Sequence, residues 1–231
     1  MKTILETDKD FICEINAPCF QLLSNDEIEI VRASKTQVLF RKGDILTKQG
    51  AFASYILFVI KGISKQYIEG DDNRTYNLKI IQAGEFVGLS SVFSQNTFNY
   101  SSVALTDCQA FLIEKDSISK LISGNGTFGL GIIKRYCGQN ANLFSTLRNV
   151  LFKQMNGKIA ETLLYIDDLK SEISDIFQLL SRKDIADFAG VSVESAVKFL
   201  KTLEKENIIK LIEKDIEIID KHKLEFISKN G

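Results

Sequence analysis

The residues best suited to chemistry in this 231-residue chain are Glu194, Ser195, Lys198 and Lys201, hydrogen-bond acceptors and donors at helical spacing. That spacing gathers them on one helix face. The opposite face carries Ala196, Phe199, Leu200 and Leu203, three and four residues apart, the mark of a buried stripe. A small polar and cationic face backed by an apolar one can read donors and acceptors along a nucleic-acid groove. Ser192 is placed to cap this helix. Just upstream, Ser181 can cap a first helix with Asp184 three residues on, in capping-box fashion. Ile185, Phe188 and Ala189 give that helix its apolar face, and Gly190 ends it with the left-handed residue that glycine adopts at little cost. Two short helices around a tight turn predict a helix-turn-helix over residues 181–204. The competing reading is an ordinary helical hairpin.

Composition restricts what that face can touch. Lysine plus arginine number 29 against 30 aspartate plus glutamate, so a nonspecific basic coat for nucleic acid is excluded and contact must come from a local face. From residue 153 onward acidic side chains slightly outnumber basic ones, which weighs against DNA binding less than the placement of the cations decides it. The longest apolar run, residues 55–60, is too short to span a bilayer. The first residues, MKTILETDKDF, carry charges where a signal peptide needs an apolar core. The expectation is a cytoplasmic chain with no membrane partner. Cys13, Cys19, Cys108 and Cys137 form no C-x-x-C pair, which disfavours a disulfide framework or structural zinc. One histidine, His222, offers little to a metal or acid–base site. No metal, no cofactor and no enzymatic activity are expected, since no nucleotide-binding glycine fingerprint or activated nucleophile is present.

These residues need a scaffold. From residue 38 to 114 short strands are punctuated by glycine: residues 36–40, 45–48, 55–60, 63–69, 75–81, 102–104 and 109–113. Strands at roughly ten-residue spacing predict an antiparallel barrel or sandwich. Residues 25–34 read as a helix. After a flexible stretch at residues 123–126, Leu130, Ile133, Cys137, Asn140, Phe144, Leu147 and Leu151 alternate spacings of three and four, a heptad seam. Asn140 inside the seam would fix register. A parallel two-stranded coiled coil is the natural reading, and a helix packed within its own subunit is the alternative. Residues 208–212 and 216–219 bracket Glu213, Lys214 and Asp215 as a hairpin or wing, and residues 221–228 read as a last helix.

The order of glycine-punctuated barrel, long helix and winged helix-turn-helix resembles the Crp/Fnr family of bacterial transcription regulators. The resemblance rests on FRKGDILTKQG (residues 40–50), VIKG (59–62), AGEFVG (83–88), GKIAETLL (157–164) and the block at 181–204. It implies an α+β chain: an effector-sensing β-barrel of cyclic-nucleotide-binding, jelly-roll type over residues 1–122, a dimerisation helix over 123–152, and a winged helix-turn-helix over 153–231. It further implies a homodimer on a palindromic site in double-stranded DNA, RNA polymerase as a partner, and a small-molecule effector of unknown identity.

Departures from the family pattern refine this. Cyclic-nucleotide binders of this fold carry a glutamate for the ribose and an arginine for the phosphate after the position of Gly88. Here the corresponding positions are Leu89 and Asn99, followed by Tyr100, and Lys79 is the one cation between Arg74 and Lys115. On the same alignment Leu143 and Phe144 replace the long-helix residues that would bond an adenine. The effector pocket expected from Val87, Leu89, Asn99, Tyr100, Leu143 and Phe144 has lost its polar handles, and a buried phosphate without a cation is poorly held. Cyclic nucleotides are therefore not the expected effectors. The oxygen-sensing branch needs four clustered thiolates, which Cys13, Cys19 and Cys108 do not supply. In the reading helix, Val193, Glu194 and Lys198 stand where the best-known relatives have Arg, Glu and Arg. Glu194 can accept from a cytosine amino group, Lys198 can donate to guanine or phosphate, and Val193 can touch a thymine methyl. Arg182, Lys183 and Lys201 are placed as phosphate clamps, with Ser192 and Ser195 beside them. The rival function is a ligand-binding module whose DNA contact is vestigial.

Overall fold

The computed structural model describes residues 1–9, 11–12, 20–90 and 96–231. The chain divides into two compact units, residues 1–69 with 80–142, and residues 70–79 with 143–231. Cys13 and Cys19 lie outside the described residues.

The N-terminal part carries β1 (Lys2–Thr3), α1 (Asn25–Ser34), β2 (Lys35–Phe40), β3 (Ile45–Thr47), β4 (Tyr55–Lys61), β5 (Ser64–Glu69), β6 (Thr75–Ile81), β7 (Phe86–Val87), β8 (Ser101–Ala104), β9 (Cys108–Glu114) and α2 (Lys115–Gly124). Two sheets form, with strand orders β1-β2-β9-β4-β7 and β3-β8-β5-β6. The pairs of registered strands run antiparallel. Two antiparallel sheets around a shared core fit the barrel or sandwich that the strand spacing predicts, and the jelly-roll type that the family resemblance implies.

The wholly apolar run in β4 follows from burial on both faces, since successive side chains point to opposite sides. Leu57 and Val59 join Val38, Phe40, Val87 and Ala110, with Leu46 and Ala104 of the second sheet, in one core. Ile56 and Phe58 point the other way, into a cluster with Phe20, Phe86, Phe111, Val31 of α1, and Ile118 and Leu121 of α2. Gly62, just after β4, has φ +92°, and a Cβ there would fall 2.3 Å from the Asp107 carbonyl oxygen. The sharp turn and close approach at that point require glycine.

Helix α2 is absent from the sequence reading, which places Ser123 and Gly124 in a flexible stretch; both lie in its last turn. The long helix α3 (Gly126–Phe152) begins where Asn125 Oδ1 accepts from the Phe128 N–H at 2.9 Å. Its first turns are buried through Phe128, Gly129 and Ile132, and Arg135 Nη1 donates to the Gly84 carbonyl at 3.1 Å.

The C-terminal part comprises α4 (Met155–Asp168), a short α5 (Ile176–Leu179), α6 (Arg182–Ala189), α7 (Val193–Lys205), the hairpin of β10 (Ile209–Ile212) and β11 (Asp215–Ile218), and α8 (Lys221–Asn230). Ile159, Leu163 and Ile166 of α4 are fully buried, together with Ile176, Phe177, Ile185, Leu203, Ile216 and Leu224. No helix among the described residues is long and apolar enough to cross a membrane.

Candidate nucleic-acid interface

Local sequence builds the helix-turn-helix as expected. Ser181 Oγ accepts from the Asp184 N–H at 3.1 Å, and the Asp184 carboxylate accepts from the Ser181 N–H at 2.7 Å, closing a capping box. Gly190 ends α6 at φ +64°. The Ser195 N–H donates to Ser192 Oγ at 3.1 Å, capping α7. Two otherwise open donors are thereby satisfied at the start of α6 and one at the start of α7. Ala196, Phe199, Leu200 and Leu203 are buried. Val193, Glu194, Lys198 and Lys201 are exposed, Ser192 is exposed beside them, and Ser195 is half-buried. One face thus anchors α7 while the other presents an acceptor, a cation and an apolar branch within the first two turns.

The three residues expected as phosphate clamps are placed differently from one another. Lys201 is exposed. Lys183 is exposed, but its Nζ lies 2.6 Å from Asp187 Oδ2, so its charge is paired one turn along the same helix. Arg182 is half-buried, with Nη2 donating to the Glu213 carbonyl of the β10–β11 turn at 3.2 Å. Burial lowers its pKa, and the carboxylates of Asp215 and Glu204 oppose that. The sequence offered no sign of this partner, a main-chain carbonyl in a turn of another element.

The seam residues of α3 form a second feature. Leu130 (52 %), Ile133 (56 %), Phe144 (71 %), Leu147 (51 %) and Leu151 (63 %) expose much of their surface. Cys137 is exposed and Asn140 half-buried. The apolar face that packs into the helix's own subunit is a different one, through Phe128 and Ile132. An exposed apolar stripe at heptad spacing on one long helix is the kind of surface that partners cover.

The expected effector residues separate. Val87 and Tyr100 belong to the core between the sheets, and the Gly88 N–H donates to the Tyr100 hydroxyl at 2.7 Å. Burial pushes the Tyr100 phenol up to about 12. Leu89 points elsewhere, into the cluster with Phe20, Phe86 and Phe128, so it packs against the helices rather than between the sheets. Asn99 is exposed. Leu143 and Phe144 are exposed on α3, in the second unit. Cys108 is buried, and burial raises its thiol pKa. Among the described residues no three His, Cys, Asp or Glu side chains gather as metal ligands.

A polar cluster the sequence did not signal lies where α3 meets α4. Lys153 Nζ donates to Glu161 Oε2 at 2.8 Å and to Ser228 Oγ at 2.7 Å, and Ser228 Oγ reaches the same carboxylate oxygen at 2.5 Å.

Comparison with known proteins agrees with this architecture. Residues 37–125 match the cyclic nucleotide-binding domain family, and residues 157–227 match the Crp-like helix-turn-helix domain family. The chain is 24 % identical over 205 residues to the anaerobic regulatory protein of Bacillus subtilis, covering 87 % of this chain and 86 % of that one. It is 26 % identical over 172 residues to the cAMP-activated global transcriptional regulator CRP of Escherichia coli, covering 71 % and 80 %. The structure of FixK2 from Bradyrhizobium japonicum superposes with a TM-score of 0.74 at 18 % identity, over 85 % of this chain and 98 % of that chain. The relatives are transcription regulators rather than enzymes.

Proposed function

Because the chain belongs to the Crp/Fnr family of DNA-binding transcription regulators, we propose that it acts in the cytoplasm as a homodimer on a palindromic operator, without cyclic nucleotides as its effectors. The observation that carries the reading is the face of α7. Val193, Glu194, Ser195 and Lys198 are held outward by a capped, fully anchored helix, with chemistry that matches base edges of a major groove. The exposed stripe from Leu130 to Leu151 supports the dimer, since two copies would cover it as a parallel pair. A twofold dimer presents two such helices, and a twofold operator is their complement.

In this reading residues 1–122 sense, 123–152 dimerise and 153–231 bind DNA. Any effector is a small molecule of unknown identity seated near Val87, Asn99 and Tyr100, and RNA polymerase is the partner at the promoter. Loss of the first arginine of the familiar recognition pattern, here Val193, removes a bidentate guanine contact, so the operator differs from those of the best-known relatives. Selection of bound duplexes from random-sequence DNA tests the proposal. The expected result is an inverted repeat whose half-sites are about one helical turn apart. Recovery of no shared sequence would reject it in favour of a module with vestigial DNA contact.

A further inference from the structure

Arg182, first residue of α6, has the charge and the place of a phosphate clamp, yet its half-buried guanidinium is already engaged with the neighbouring hairpin. Nη2 donates to the Glu213 carbonyl at 3.2 Å. Nη1 is excluded from solvent and has no hydrogen-bond partner among the described residues. A phosphate oxygen can reach a donor only through accessible surface, so Nη1 is closed to DNA unless the hairpin moves. The nearby carboxylates of Asp215, on β11, and Glu204, on α7, supply the balancing charge from within the fold.

Glu213 is a residue that needs holding. It has φ +52°, in the left-handed region that crowds any side chain with a Cβ. Hairpin turns of this length usually place glycine, asparagine or aspartate at such a position. The Ile212 and Asp215 pair leaves only Glu213 and Lys214 to make the turn. A second tether holds the first strand one residue pair below the turn-closing pair, where the Leu211 N–H donates to Glu204 Oε1 at 3.1 Å. The hairpin is thus pinned from α7 along its first strand and from α6 at its tip. Lys214, next to the pinned carbonyl, is exposed.

We propose that Arg182 is the positioning residue of the wing: it holds the β10–β11 turn so that Lys214 meets the DNA backbone, and it binds no phosphate itself. This rests on the DNA-binding reading above. The fork geometry of a guanidinium suits a fixed carbonyl, whereas the salt slope of a direct phosphate contact depends on charge, which lysine keeps.

The test uses the full chain, a duplex it selects from random DNA, and the variants R182K, R182Q, K214Q and R182K/K214Q. Salt titration counts phosphate contacts, because each one lost lowers the log–log slope by about 0.9. K214Q removes one such contact from each of the two copies on the operator and should lose about 1.8 of slope. R182K, although it keeps the charge, should weaken binding as K214Q does, and the double variant should match K214Q in affinity and slope. Hydrogen exchange without DNA gives a separate readout. Amides of residues 209–218 should exchange faster in R182K and R182Q than in wild type, while those of α6 and α7 keep their protection and certify the fold.

The proposal is overturned by any of four results: R182K binding as wild type while R182Q loses a contact, additive slope losses at the two positions, K214Q binding as wild type, or unchanged exchange in the hairpin of both Arg182 variants. A wild-type protein that binds no duplex would refute the DNA-binding reading instead, and the exchange measurement would still decide whether Arg182 holds the wing.

Discussion

Lys153 Nζ sits 2.8 Å from Glu161 Oε2, tying the two-residue break between α3 and α4 to the body of α4. The lysine side chain is 17 % exposed and Ser228 joins the pair from α8. Burial pushes the Glu161 carboxyl up, but hydrogen bonds from Lys153 and Ser228 outweigh it and leave the pKa below the usual 4.5. A carboxylate whose folded pKa is depressed contributes stability above its unfolded pKa and loses it as pH falls through the folded value. Urea unfolding of wild type and Glu161→Gln should therefore differ most at neutral pH. The gap should narrow as pH drops below about 4.5, because Glu161 itself is then protonated, whereas the other carboxylates titrate in both proteins and cancel in the difference. A gap that stays constant across that range would show that Glu161 is not ionically held.

Lys198 and Lys201 share a helix but should behave differently on DNA. Lys198 lies on the face with Glu194, one turn on. Lys198→Ala should relax base preference at one position per half-site, at a cost of about 1–3 kcal/mol if it reaches a base edge. Lys201→Ala should weaken all sequences alike and flatten the salt dependence. Binding competitions across single-base operator variants, run at two salt concentrations, separate the outcomes. Wild-type behaviour in both variants would mean that α7 is not the reader.

Phe144 is 71 % exposed in the middle of the α3 stripe. Phe144→Asp sets a charge in the proposed seam of each copy, and unpaired charge at a buried interface is strongly disfavoured. Light scattering should show the dimer dissociating at micromolar concentration, with circular dichroism unchanged because the residue is not part of a subunit core. An intact dimer of the variant would dispose of the coiled-coil assignment.

Where local rules governed, the residues spoke for themselves. Ser181, Asp184 and Gly190 mark α6, and β6 spans Thr75–Ile81 as its pattern implies, because caps and alternation are properties of neighbours in sequence. Helix α2 escaped notice since it follows β9 directly and Glu114 makes no side-chain cap bond. The Lys153, Glu161 and Ser228 cluster joins residues up to 75 positions apart, and no spacing rule reaches that far. Leu89 shows the limit of motif alignment: it occupies a pocket position by count, yet one step along the chain from Gly88 turns its side chain to the helix-covered core. Arg182 shows the same limit for charge, which says what a side chain can bind but not which partner it finds first.

Tyr100 and Phe98 bear on what the sensor can accept. The Tyr100 hydroxyl already takes the Gly88 N–H. A Cβ at Gly88 would fall 2.5 Å from the Phe98 ring, so that ring lies close against the backbone. The main-chain donor and the space beside Gly88 are used by the protein's own aromatics. The family resemblance aligns Leu89 and Asn99 with the glutamate and arginine that hold ribose and cyclic phosphate in cyclic-nucleotide binders, and the proposal that this chain takes no such ligand rests on that alignment. A nucleotide entering here would give up water without equivalent partners, at about 1–3 kcal/mol for each unpaired polar group. Each 1.4 kcal/mol is about tenfold in affinity, so a few such losses turn a micromolar site into one too weak to matter. Calorimetric titration with cyclic AMP and cyclic GMP should give no heat of binding, and neither nucleotide should sharpen operator affinity. Saturable micromolar binding of either would mean that Tyr100 yields the Gly88 N–H to the ligand, and the reading of this sensor as closed to cyclic nucleotides would be wrong.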